Sequence, residues 1–125
     1  MTLTEEPLTI ARMAEATGLT THTLRYYERE GLMFAPVDRA SSTHRRYSAA
    51  DVTWVAFLSR LRATGMPIRD VRRYVALVRE GDATMPDRLE LLREHRQRVL
   101  GQLDEVTASL AAIDTKITLY EGRTS

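Results

Sequence analysis

Residues 20–31 read TTHTLRYYEREG, and the reading of this stretch decides the fold. Threonine before a helix caps it by accepting from an amide of the first turn. Glycine just past the end is the residue that closes one. Thr20 and Gly31 therefore bracket a short helix. Within it Leu24 faces an upstream helix, while Arg25, Tyr26 and Tyr27 bring a guanidinium and two phenols together. Such groups reach phosphate oxygens jointly, so this is expected to be a helix that lies on DNA.

Upstream, Thr9 is a capping residue, Ile10, Met13 and Ala14 recur at helical spacing, and Gly18 closes the segment. Leu19 then pins a tight turn. Two short helices joined around a glycine form a helix-turn-helix, and the second is the one that enters a groove. Downstream, periodicity disappears between Leu32 and Tyr47. Met33-Phe34 and Arg46-Tyr47 suit short paired strands, with turn formers at 36–43. The expectation is a small β-hairpin wing carrying Arg39, His44, Arg45 and Arg46 near its tip or edge.

Ser48 and Asp51 have the spacing of a capping box and open a third helix. Val52, Trp54, Val55, Leu58 and Leu61 turn inward there. The TGMP stretch at 64–67 breaks it, and a fourth helix with Ile68, Val71, Val75 and Val78 runs to Gly81. After Pro86 the pattern becomes a heptad: Leu89, Leu92, Val99, Leu103, Val106, Leu110, Ile113, Ile117 and Tyr120, interrupted by Arg96. A long helix with one apolar seam and no later segment to cover it needs a partner chain. Gly101 weakens it by only about 1 kcal/mol. The chain thus divides into 1–81, a DNA-binding domain, and 86–121, a dimerisation helix. It is expected to be a homodimer, mainly α.

Composition bounds the alternatives. A chain of 125 residues with 43% hydrophobic content fits one small domain plus a long helix. No apolar run reaches the length of a membrane span. The start, MTLTEEPLTI, has acids where a secretory signal has bases, so a cytoplasmic location is expected. Absence of cysteine excludes disulfides and thiolate chemistry by these residues. The net charge of +1 conceals an uneven distribution. Residues 39–79 hold nine arginines against Asp51 and Asp70, and 17 of the 18 basic residues are arginine, the side chain suited to bidentate phosphate contact. His22, His44 and His95 share no metal-ligand spacing, and no nucleophile–base–orienter set stands out. Neither a metal, a cofactor nor an enzyme is expected.

With these elements in order, the chain resembles the MerR family of bacterial transcription regulators. The matching stretches are IARMAEATGLTTHTLRYYEREGL, RRYSAADV and LRATGMPIRDV, in the family's order and spacing. The resemblance implies a winged helix-turn-helix, a second wing around the third and fourth helices, and an antiparallel coiled coil. It implies double-stranded promoter DNA as a partner, a palindromic element bound by the dimer, and RNA polymerase nearby. In many relatives the dimer bends and untwists an over-long promoter spacer. Thr20, Thr23 and Arg25 are implied to face the groove or its phosphates, with Tyr26 and Tyr27 holding the backbone. Arg39, Arg45 and Arg46 belong to the first wing, and Arg62 and Thr64 to the second. The tail looks most like a short branch that often responds to electrophiles through a cysteine in the third helix. Near Ser59, where that thiol is sought, there is none, and no effector follows. A separate C-terminal ligand domain is not expected.

Other readings stay open at this level. Tyr26 and Tyr27 also suit packing, with at least one expected on DNA. Arg69, Arg72 and Arg73 suit a solvated helix face with one phosphate contact among them. Glu28 and Glu30 on the reader helix, where carboxylates lie near phosphates, suit either filtering of sequence or pairing with a neighbouring arginine. Trp54, with Phe57, Met66 and Tyr74, could border an apolar pocket and make the protein a ligand-responsive switch. An excisionase-like architectural protein uses the same winged motif, although many such proteins lack the long helix.

Overall fold

A computed structural model of the chain describes residues 7–34, 38–39 and 45–124, with the backbone alone at 38–39 and 45–46. Helices dominate. The order is α1 (Ile10–Thr17), α2 (Thr21–Arg29), β1 (Asp38–Arg39), β2 (Arg45–Arg46), α3 (Ala49–Ala63), α4 (Ile68–Glu80), a 3-10 turn (Asp82–Thr84) and α5 (Met85–Thr124). The described residues form two compact units, one ending at Arg88 and one starting at Leu89, so the boundary lies inside α5.

Helix starts follow from side chains that satisfy first-turn amides. Thr9 accepts from the Arg12 amide at 3.3 Å, and Thr20 from the Thr23 amide at 3.1 Å. Ser48 and Asp51 close a reciprocal capping box, with bonds of 3.1 and 2.8 Å. Gly18, at φ 72°, ends α1 in the left-handed conformation that glycine adopts without a Cβ penalty. Gly31, at φ 70°, turns the chain sharply after α2.

In the first unit α1 packs on both α2 and α3, and α3 packs on α4. The core includes Met13, Leu24, Leu32, Tyr47, Val55, Leu58, Met66 and Val71, all at most 1% exposed. Burying such side chains stabilises the unit by about 1.5–3 kcal/mol each.

The structure departs from the sequence reading between α2 and α3. Met33-Phe34 form no strand: both lie in a bend, Met33 is 3% exposed, and the paired residues are Asp38 with Arg46 and Arg39 with Arg45. The turn at Gly31 drops Leu32 and Met33 straight into the core, so their apolar character serves burial, not strand pairing. Tyr47 lies past β2 and bridges instead to Leu8, by amide–carbonyl bonds of 2.7 and 2.9 Å. Residues 36–37 and 40–44, including His44, lie outside the described residues, as do the side chains of Arg39, Arg45 and Arg46. In α4 the buried position falls to Leu77, and Val78 is half-buried.

Among the described residues the second unit is helix throughout. α5 has 40 residues, a length of about 60 Å at 1.5 Å per residue, and Gly101 does not interrupt it. Leu103, Val106, Leu110, Ile113, Ile117 and Tyr120 are each 48–64% exposed, whereas Leu92 and Val99 are half-buried. No described helix is long and apolar enough to cross a membrane.

Candidate nucleic-acid interface

Helix α2, the one expected to read DNA, divides cleanly into two faces. Leu24 and Tyr27 point inward at 1% and 5% exposure. His22, Arg25 and Arg29 are exposed and recur at i, i+3 and i+7, which places them along one outward stripe. Tyr26 is half-buried beside that stripe, its ring centroid 6.2 Å from that of Tyr27. Of the two tyrosines, therefore, Tyr26 shows its ring at the surface while Tyr27 packs in the core.

Thr20 and Thr23 hold the start of this helix. The Thr20 hydroxyl accepts from the Thr23 amide and donates to the Thr23 hydroxyl at 3.0 Å. Both oxygens stay close to the helix end, where amides and partial positive charge favour a phosphate. His22 and Arg29 were not singled out from sequence. Their signal was nonetheless present, in the same helical spacing that marks Arg25.

The α3–α4 turn brings a second set of predicted residues together. Arg62 Nη1 donates to the Met66 carbonyl at 2.8 Å, and the Thr64 hydroxyl donates to the Arg60 and Leu61 carbonyls at 2.9 and 3.1 Å. These bonds close the turn around Gly65, whose φ is 93°. Arg60, Arg62, Arg69 and Arg73 remain exposed around it. Arg72 is exposed as well, and its guanidinium pairs with Glu30, the residue after the end of α2. Glu28 accepts from the Tyr47 hydroxyl at 3.1 Å. Both carboxylates of the reader helix are thus engaged by distant side chains.

The aromatic residues around Trp54 pack on one another. Trp54 stacks on Tyr74 with centroids 5.9 Å apart, Phe34 meets Trp54 edge-on at 5.7 Å, and Phe57 lies 5.6 Å from Tyr74. Trp54 is half-buried and its indole N–H donates to the Leu32 carbonyl at 2.7 Å. Burial pushes the Tyr74 phenol above its ordinary range, against a smaller opposing pull from the Arg88 guanidinium.

Residues 8–77 match the family described as MerR HTH family regulatory protein, and residues 52–120 match the one described as MerR, DNA binding. An uncharacterized HTH-type transcriptional regulator of Haemophilus influenzae is 33% identical over 113 residues, covering 90% of this chain and 83% of that protein. The HTH-type transcriptional regulator AdhR of Bacillus subtilis is 41% identical over 93 residues, covering 74% of this chain and 66% of its own length. Among solved structures, HiNmlR, a MerR family regulator lacking the sensor domain and bound to promoter DNA, superposes with a TM-score of 0.86. It is 32% identical, and the match covers 92% of this chain and 86% of that one.

Proposed function

Given that the chain belongs to the MerR family of DNA-binding transcription regulators, we propose that it works as a homodimer on a palindromic promoter element. Each protomer lays α2 in a major groove, and the two half-sites are held at a fixed spacing. Thr20, Thr23, Arg25 and Tyr26 contact the groove or its phosphates from α2. Arg39, Arg45 and Arg46 do so from the β1–β2 hairpin, acting as a wing, and Arg62 and Thr64 from the α3–α4 turn. The observation that carries this reading is the outward stripe of α2, where His22, Arg25 and Arg29 stand opposite buried Leu24 and Tyr27.

The seam of α5 supports the dimer. Exposed Leu103, Val106, Leu110, Ile113, Ile117 and Tyr120 are a large apolar surface for one soluble chain. Together with Leu92 and Val99 they are covered by the same helix of a second copy, running antiparallel. On the promoter, in the cytoplasm, such a dimer acts on RNA polymerase by deforming the spacer. Smooth bending of a site this size costs about 1–6 kcal/mol, offset by the contacts that the bend permits.

Binding of the full chain to a duplex selected from a random pool tests the reading. Arg25→Ala is expected to weaken binding about tenfold or more, within the cost of one specific contact, while folding is unchanged. Affinity is expected to fall steeply with salt, because each neutralised phosphate releases counterions. A flat salt response, or undiminished binding by a folded Arg25→Ala chain, counts against α2 as the reader.

A further inference from the structure

The segment that leaves the reader helix is tied to three other elements by side chains. Tyr47, beyond β2, donates to Glu28 at 3.1 Å, and Trp54 of α3 donates to the Leu32 carbonyl at 2.7 Å. From α4, Arg72 donates to the Glu30 carboxylate and Arg79 to the Met33 carbonyl. Arg72 and Arg79 lie seven residues apart, two turns on one face of α4, so a single helix face holds both sides of the Gly31 turn. By main-chain packing, α2 lies on α1 and α4 lies on α3. The two arginines link α4 to the reader through polar groups instead.

We infer that Arg72 and Arg79 are positioning residues, which set the angle at which α2 presents His22, Arg25 and Tyr26 without contacting DNA themselves. The inference rests on the DNA-binding reading above. Glu30 caps the C-terminal end of α2, where a carboxylate meets the negative end of the helix dipole. Arg72 neutralises that carboxylate and holds it against α4. The pair is exposed, at 46% for Arg72 and 34% for Glu30, so it adds little to folding stability. Its effect is orientational. His22 lies about 12 Å up the helix from Glu30 at 1.5 Å per residue. A tilt of about 5° at that end therefore moves a reading group by about 1 Å, enough to take a hydrogen bond out of its working range.

The test uses the full chain, a duplex that the wild type selects from a random pool, and a shuffled duplex of equal length. Glu30→Gln, Arg72→Gln, the double variant and the exchanged pair (Glu30→Arg with Arg72→Glu) are titrated across salt, with unfolding midpoints read in parallel. Either single change is expected to weaken the selected duplex about five- to tenfold, a coupling normal for residues in contact. Binding to the shuffled duplex and the salt slope stay as in wild type. The double variant is no worse than either single one, and the exchanged pair returns to within about twofold of wild type. Arg79→Gln shows the same pattern of lost selectivity at unchanged salt slope. The inference is overturned if Arg72→Gln lowers the salt slope by about one and weakens both duplexes alike, or if Glu30→Gln is neutral or tightens binding. Failure of the exchanged pair to recover also overturns it. A wild-type chain that selects no duplex defeats the DNA-binding reading itself, a result obtained before any variant is made.

Discussion

Tyr26 and Tyr27 show how one residue step divides two roles. Neighbours on a helix lie about 100° apart, so one ring of an adjacent pair faces the core while the other faces outward. The ring of Tyr27 is 5% exposed, and that of Tyr26 is half-buried at the edge of the reading stripe. Tyr27→Ala is expected to destabilise the fold by about 3–5 kcal/mol, the usual cost of removing a buried ring, as measured by denaturant titration. Tyr26→Ala should leave that midpoint nearly unchanged and weaken duplex binding. Equal destabilisation by the two changes would remove the distinction. The sequence reading left the order of the pair open, although Leu24, three residues before Tyr27, marks the inward face that Tyr27 shares.

At the level of elements, helix ends were legible because capping is local. Thr9, Thr20 and the Ser48–Asp51 box sit where their residue types and spacing place them. The strands were not, since Asp38 with Arg46 and Arg39 with Arg45 have no apolar alternation to announce them. Met33 looked like strand because it is apolar, but a positive-φ glycine two residues earlier steers it into the core. For α5 the heptad residues from Leu103 onward are exposed, as are Leu100 and Leu119 outside the heptad. Leu110→Asp places a charge in the middle of that seam. It is expected to yield a monomer in sedimentation equilibrium and to abolish the concentration dependence of the unfolding midpoint. Dimers persisting at micromolar concentration would show that the seam is not the interface.

Across the whole molecule, charge distribution matters more than the net value of +1. Arginines are concentrated in 39–79, and the described ones include exposed Arg60, Arg62, Arg69 and Arg73. Arg72 and Arg79 have other work, on Glu30 and the Met33 carbonyl. A sequence count of arginines thus overstates the number available to phosphates. Stability is expected to fall at alkaline pH. Burial raises the Tyr74 phenol above its ordinary value of 10.0, so the folded state favours the neutral form. That contribution is whole below the unfolded value and is lost as pH rises from there through the folded one. Denaturant titrations from about pH 9 to about pH 11 should show falling stability, and Tyr74→Phe should flatten part of the decline. An identical decline in the variant would assign it to other groups.

The chain's own order of residues determined the helix boundaries, the two-faced helix α2 and the apolar repeat of α5, because capping and periodicity act over one to four residues. Only the folded arrangement decided where the hairpin pairs and which arginines remain open. The hairpin pairs polar residues with no apolar alternation to mark them, and the engaged arginines, Arg72 and Arg79, meet partners 42 and 46 positions away, about which local pattern carries no information.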